Sequence, residues 1–201
     1  MSSAEQERAE AEELPSEDVV GVLLEQHARI RDLFAAVRSG PAEQREERFR
    51  ELRALLAVHE TAEEMIVRPA AKKTAGEHEA EARNEEEKEA NKVLAELDKL
   101  EVGSERFTRL LADFEQSVSD HAEHEEQEEF PALRTRLSEE DRTKMGKRVL
   151  AVEKTAPTRP HPTAAGSPAL QWTVGPFASV LDRARDAVSS TGSSTGSSPG
   201  R

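Results

Sequence analysis

One motif that occurs twice constrains the fold of this chain more than any other feature of its sequence. It consists of a histidine, a pair of glutamates that begins four positions later, and a proline five positions after the second glutamate. The two copies are His59-x3-Glu63-Glu64-x4-Pro69 and His121-x3-Glu125-Glu126-x4-Pro131, which are 62 positions apart. His27 precedes the first copy and Glu87 precedes the second, 60 positions apart. We therefore interpret the chain as two related helical hairpins.

Helical periodicity runs through most of the chain between residues 16 and 152, where Ala, Leu, Glu and Arg dominate and β-branched residues are few. Four long helices are predicted at about 16–38, 42–68, 77–101 and 105–130, and a fifth at about 139–152. The connections between the long helices are short, which favours antiparallel neighbours. The sequence therefore predicts an all-α fold, an up-down-up-down four-helix bundle with an extra C-terminal helix.

The two ends of the chain differ in composition from this middle part. Residues 1–15 are rich in Glu and Ala without apolar periodicity, which predicts a disordered acidic lead-in. Residues 153–188 form a Pro-rich, mostly irregular tail in which one short amphipathic helix is predicted at 176–188. Residues 189–201 contain Ser, Gly and Thr almost exclusively, and we expect them to be disordered.

Histidine or glutamate interrupts the apolar stripe of each long predicted helix. These positions are His27 in the first helix, His59 and Glu63 in the second, Glu87 in the third, and His121 and Glu125 in the fourth. Uncompensated buried charges are costly, so six such groups facing one axis need a shared partner. A multivalent cation neutralises the carboxylates and accepts the imidazole lone pairs. Three imidazoles and three carboxylates suit two iron ions bridged by carboxylate, with manganese as the alternative.

A structural role is the competing interpretation of each of these residues. Acidic residues are abundant, and three of the six histidines have one at i+4, so a single His-x3-Glu pair is also typical of a helix surface. His27 alone would suit a hydrogen-bonded core histidine, and Glu87 lies in a run of three glutamates of the kind that usually faces solvent. Glu60 and His124 are alternative ligands. The repeat favours the metal interpretation.

Composition excludes several classes of function. The chain has no cysteine, which excludes disulfides, Fe–S clusters, thiolate zinc sites and cysteine nucleophiles. Its net charge of −13 argues against binding to nucleic acid or anionic membranes. No apolar run approaches the length of a membrane span, and the N-terminus is acidic rather than signal-like. We therefore expect a cytoplasmic protein that acts on small molecules.

The part of the chain from about residue 17 to residue 152, which contains the repeated motif, resembles the hemerythrin-like, or HHE cation-binding, proteins. The segments that carry the resemblance are Leu-Leu-Glu-Gln-His27, His59-Glu-Thr-Ala-Glu63-Glu64, Glu85-Glu86-Glu87 and His121-Ala-Glu-His-Glu125-Glu126-Gln-Glu-Glu-Phe-Pro131. The Pro-rich tail looks like the actinobacterial branch of that family. The resemblance implies a non-haem di-iron site inside the bundle, with His27, His59 and His121 as terminal ligands and Glu63 and Glu125 as bridging ligands.

The chain departs from the family pattern at one ligand. The family commonly has a histidine on the third helix, and the matching position here is Glu87. A carboxylate makes the site more anionic and favours higher iron oxidation states, which favours redox chemistry over reversible dioxygen carriage. There are two alternatives to Glu87 as a full ligand. The second metal is bound weakly, or the register of the helix is shifted and Glu86 or Asn84 is the ligand instead.

The first functional hypothesis is a di-iron enzyme, catalase- or peroxidase-like, that disproportionates hydrogen peroxide or otherwise takes part in oxidative-stress defence. The second is a non-enzymatic sensor or reversible binder of dioxygen, nitric oxide or iron, whose tail reports to a protein partner. The third is an acidic structural bundle without metal. Nothing in the sequence supports a pocket for an organic substrate.

Overall fold

The computed structural model describes residues 2–155, except the side chains of Glu79, Ala80, Asn84, Glu87, Lys88 and Thr155. All regular elements within this part are helices: α1 Ser3–Glu12, α2 Val19–Ser39, α3 Ala42–Ala62, α4 Arg68–Thr74, α5 Glu77–Leu97, α6 Glu105–His124, α7 Phe130–Arg136 and α8 Glu139–Thr155. This confirms the all-α prediction. The predicted tail helix and the Ser/Gly-rich end lie outside the described residues.

The four long helices α2, α3, α5 and α6 form the bundle. Helix α2 contacts α3 and α6, and α5 contacts α6. Helix α8 packs on α2 and α3, so the extra C-terminal helix covers the outside of the first hairpin. The architecture is the predicted helical bundle with one additional helix after it.

Side-chain caps fix where several helices begin. Asp18 accepts a hydrogen bond from the Val20 N–H and caps α2, which begins at Val19 rather than at about residue 16 as predicted. Ser104 accepts from the N–H of Phe107 and starts α6, as its position before that helix predicts. Each cap satisfies a backbone donor that the first helical turn leaves without an internal acceptor.

The N-terminal segment differs from the predicted disordered lead-in, because residues Ser3–Glu12 form α1. Ser2 and Glu5 form a capping box at its start, and the helix packs against α2. Its Glu7 carboxylate is buried and pairs with Arg31 of α2. The apolar pattern could not predict this helix, because part of what holds it against α2 is an ion pair to a residue far along the chain.

Both repeat copies contain a turn of π-helix where the sequence predicts that a regular helix ends at proline. The first π turn is Glu63–Val67 and joins α3 to α4; the second is Glu125–Glu129 and joins α6 to α7. The N–H directly after each turn, on Arg68 or Phe130, donates to the carbonyl five residues back. The helices therefore continue past Pro69 and Pro131, each of which lies in the first turn of the next helix, where its missing N–H is tolerated.

The apolar core consists of two clusters, and His27, His59 and His121 lie between them along their helices. One cluster includes Leu23, Leu24, Val67, Phe130 and Leu133, together with α8 residues. The other is at the opposite end of the same helices, and its largest members are Phe34, Phe49, Phe107 and Phe114. Within residues 2–155, no helix is both long and apolar enough to cross a membrane.

Candidate metal centre

The structure places five of the six predicted ligands on three bundle helices and the two π turns. His27 lies in the middle of α2, and His59 and His121 lie in the last turns of α3 and α6. Glu63 and Glu125 are the first residues of the two π turns. The sixth residue, Glu87, belongs to α5, but its side chain is outside the described part of the structure.

Four of these side chains meet in one buried cluster. The candidate ligand atoms of His27, His59, Glu63 and Glu125 all lie within 4.8 Å of one another. His121 reaches the same cluster, because its Nε2 lies 3.4 Å from Oε1 of Glu125. The structure thus brings together three imidazoles and two carboxylates that are separated by up to 98 positions in the chain.

The three imidazoles are oriented alike by hydrogen bonds at Nδ1. The pairs are His27 with Glu126 at 2.8 Å, His59 with Gln26 at 2.9 Å, and His121 with Glu86 at 2.9 Å. When Nδ1 carries the proton and donates to these oxygens, the lone pair is on Nε2. On all three rings Nε2 is the nitrogen that lies near Glu63 or Glu125. Protein metal sites commonly orient their histidines in this way.

The protonation of these residues follows from burial and charge. Burial, together with the neighbouring His27, lowers the pKa of His59 to about 3. Burial also lowers the pKa of His121, but Glu125 and Glu86 outweigh it and hold that pKa well above its usual value. Burial raises the pKa of Glu125, yet the charge of His121 outweighs this and holds it well below the usual range. Without a cation, a proton on His121 therefore compensates the buried Glu125 carboxylate.

Two buried polar atoms without hydrogen-bond partners indicate that a cation would fit in this cluster. Nε2 of His27 and Oε2 of Glu125 lie 3.5 Å apart, and neither has a hydrogen-bond partner among the described residues. Leaving such a group unsatisfied costs about 1–3 kcal/mol. A cation between the side chains would coordinate both atoms. The donors are nitrogen and oxygen without sulfur, which suits iron or manganese.

The two alternative ligands have other contacts in the structure. Glu60 accepts a hydrogen bond from the side chain of Asn91. His124 has a half-exposed side chain and lies 3.4 Å from Oε1 of Glu86. Neither residue belongs to the cluster formed by the described candidate ligands.

Sequence reasoning missed a buried ion pair and two orienting residues beside the cluster. Arg68 donates to Glu129 at 2.9 Å, and both residues are almost fully buried. Glu129 could have been found as the next step of four after His121 and Glu125. Gln26 and Glu86 each adjoin a predicted ligand in the sequence, but the acceptor of a given imidazole depends on the packing of two helices.

A cavity of about 40 Å³ adjoins the cluster. His27, His59 and His121 are among its lining residues, and the rest of its wall is largely apolar, with Ile30, Phe34, Leu56, Val118 and Ala122 among its residues. A volume of this size holds a molecule of a few heavy atoms. Glu60 and Glu86 also lie in the wall.

Comparison with known proteins agrees with this geometry. The model of the Hemerythrin HHE cation binding domain family matches residues 18–133. An uncharacterized hemerythrin-like protein of Schizosaccharomyces pombe is 30% identical over 134 residues, which cover 65% of this chain and 66% of that protein. The chain thus spans slightly less than two thirds of the length of this curated relative. No solved structure gives a significant match. The family match spans the bundle and all of the described cluster, and the chain belongs to the hemerythrin HHE cation-binding domain family.

Proposed function

We propose that this chain binds two iron ions and uses them to disproportionate hydrogen peroxide, as part of a defence against oxidative stress. The observation that carries the proposal is the buried cluster of His27, His59, Glu63 and Glu125, which His121 adjoins. These five residues and Glu87 are the proposed ligands. Manganese remains the alternative metal.

The chemistry of the donor set supports iron. Imidazole and carboxylate together suit borderline divalent metals, and carboxylates can bridge two of them. Iron bound here would supply the redox chemistry by which one peroxide is reduced to water and a second is oxidised to dioxygen. The family match supports cation binding in general, so iron and the number of ions belong to the proposal.

The side chains around the cluster would select the substrate and exchange protons. The small apolar cavity admits peroxide and excludes bulky reductants, which would otherwise compete for the oxidised centre. Glu60 in the cavity wall offers a carboxylate for the protons that the reaction consumes and releases. The hydrogen bond between Glu86 and Nδ1 of His121 holds that ring in one orientation during turnover.

The test combines metal analysis with an assay for dioxygen. Protein purified from iron-replete cells should contain about two irons per chain and evolve oxygen from hydrogen peroxide. A His121→Ala variant should lose most of both, whereas His78→Ala, a control at an exposed position of α5, should retain both. Full iron content without oxygen evolution would contradict the enzymatic role. Absence of metal in unmodified protein would contradict the centre itself.

A sensor that binds dioxygen, nitric oxide or iron without turnover is the second candidate. A hydrogen-bonded connection favours it: Gln26, which holds His59, donates at 3.4 Å to Glu153, the first residue of the predicted tail, which the structure includes in α8. Metal binding at His59 could thus influence α8 and a protein partner of the tail. A stable oxygen or nitric oxide complex without peroxide turnover would support this alternative. The resemblance of the tail to the actinobacterial branch remains a prediction.

A further inference from the structure

Arg68 is a buried cation in direct contact with a proposed ligand. The residue comes directly after the first π turn, and only 3% of its surface is exposed. Its Nη1 donates to Oε1 of Glu129 at 2.9 Å, and its Nη2 donates to Oε1 of Glu125 at 3.4 Å. The guanidinium therefore lies between the carboxylate of the candidate centre and a second, equally buried carboxylate.

The internal repeat shows that the fold does not require an arginine at this position. The residue equivalent to Arg68 in the second copy is Phe130, whose ring stacks on His27 with centroids 5.6 Å apart. The residue equivalent to Glu129 in the first copy is Val67, which is buried in an apolar cluster. Each position of the ion pair is thus occupied by an apolar side chain in the other half of the bundle.

Stability alone gives a weak explanation for the pair. Replacing a buried ion pair by apolar residues of similar volume is often neutral or stabilising, because two charges must lose their hydration. The same burial makes the charge effective at a distance, since little water separates Arg68 from the cluster. A fixed positive charge beside Glu125 therefore acts on any cation that this carboxylate binds.

We propose that Arg68 sets the redox balance of the metal centre by withdrawing negative charge from Glu125, and that Glu129 holds the guanidinium in place. The proposal rests on the proposed metal site, but not on peroxide as its substrate. Three carboxylate ligands stabilise an oxidised, more positive centre. Arg68 offsets part of that charge and favours the reduced state. With Arg68 beside it, the oxidised centre accepts electrons more readily. The oxidation of peroxide to dioxygen is the half-reaction that supplies those electrons.

The experiment measures the midpoint potential of the iron-loaded full-length chain by an optical redox titration, at a pH above the pKa of about 7 to which burial raises Glu129, so that both members of the pair are charged. In the double variant Arg68→Met/Glu129→Leu, both charges are removed and the net charge of the chain is unchanged. The potential should fall, because the arginine is the member of the pair that contacts Glu125. At the wild-type midpoint, the ratio of reduced to oxidised protein should fall about 5-fold, because the loss of the positive charge at about 6 Å is only partly offset by the loss of the negative charge at about 9 Å in a medium of effective dielectric constant near 20.

Two single variants separate charge from packing. Arg68→Lys retains the positive charge and should keep the potential close to that of the wild type. Glu129→Gln removes the countercharge while leaving an acceptor for Arg68, and it should raise the potential. Iron content and circular dichroism, measured on every sample, show whether the variant is folded and loaded.

The outcomes are distinguishable. A folded, iron-loaded double variant with the wild-type potential would overturn the role of Arg68 and leave the metal site standing. Unmodified protein that binds no iron would overturn both proposals. A fall in potential in the double variant, with retention in Arg68→Lys, would support the inference even in a protein that does not turn over peroxide.

Discussion

Replacing His59 by alanine tests the candidate centre through its coupling to stability. The substitution removes one Nε2 from the cluster and leaves the carbonyl oxygen of the buried Gln26 without its donor. The loss of the hydrogen bond to Gln26 alone should destabilise the metal-free protein by about 1–3 kcal/mol. The loss of Nε2 should weaken iron binding by at least about 100-fold, because even residues that only orient a ligand affect affinity by 10–100-fold.

The loss of affinity can be converted into a melting temperature. A 100-fold weaker dissociation constant at fixed free iron removes about 2.7 kcal/mol of ligand stabilisation. For a protein of this size, that corresponds to about 8 °C in Tm. The measurement is the difference in Tm between iron-loaded and chelator-treated samples, monitored by circular dichroism at 222 nm. This difference should be at least about 8 °C smaller in His59→Ala than in the wild type.

His78→Ala is the matched control, since it makes the same substitution at an exposed position of α5. It should show the wild-type difference in Tm between loaded and chelated protein. If His59→Ala kept both the wild-type iron content and the wild-type response of Tm to iron, the side chain would lie outside the coordination sphere. A metal ion would then not be what compensates the buried polar groups around His59.

Three further predictions concern residues around the centre. Glu87→His should retain metal but change the rate at which the reduced protein is oxidised by air; an unchanged rate, monitored optically, would place Glu87 outside the ligand set. Burial raises the pKa of Glu129 to about 7, so its folded form holds a proton that the unfolded chain releases near pH 4.5. The metal-free protein should therefore lose stability as the pH rises from 4.5 to 7. The variant Glu129→Gln should be more stable than the wild type by about 3 kcal/mol above pH 7 and equally stable below pH 4.5. Urea denaturation at a series of pH values measures both effects. In α8, a Cβ on Gly146 would lie 2.0 Å from the carbonyl oxygen of Glu17, so Gly146→Ala should destabilise by about 1–3 kcal/mol. Helix propensity alone would instead stabilise that variant by about 1 kcal/mol, and the sign of the change in the free energy of unfolding decides between them.

The periodicity of the sequence was sufficient to predict the bundle and the elements that carry the candidate ligands. The apolar stripe located α2, α3, α5 and α6 to within a few residues at most ends, and the repeat identified two histidine–glutamate pairs that meet in space. These features are predictable because they depend on local spacing along one helix.

Other features depend on contacts between helices and could not be predicted in this way. Helix α1 has little apolar pattern and is held in part by the ion pair between Glu7 and Arg31. Which oxygen accepts from Nδ1 of His59 is decided by the packing of α2 on α3, which places Gln26 opposite the ring. The buried ion pair of Arg68 and Glu129 joins the two repeat copies, and neither copy by itself indicates it.

The π turns did leave a signal in the sequence that a search for regular helices overlooks. The inward-facing positions 59, 63, 67 and 71 are separated by three successive steps of four, and positions 121, 125, 129 and 133 repeat them. In a regular α-helix each step of four rotates the side chain by about 40°, so three steps would carry it well away from the core. A wider turn absorbs that rotation and keeps the positions on one side.

The equivalent placement of the two π turns bears on how such a centre arises. A π turn corresponds to one surplus residue in an otherwise regular helix, and here both halves carry it from the glutamate onward, 62 positions apart. Duplication of a hairpin that already contained the π turn would produce this equivalent placement. One difference between the halves lies at the first position after each π turn, a guanidinium in one half and an aromatic ring in the other, so that the same irregularity gives the two sides of the centre different chemical surroundings.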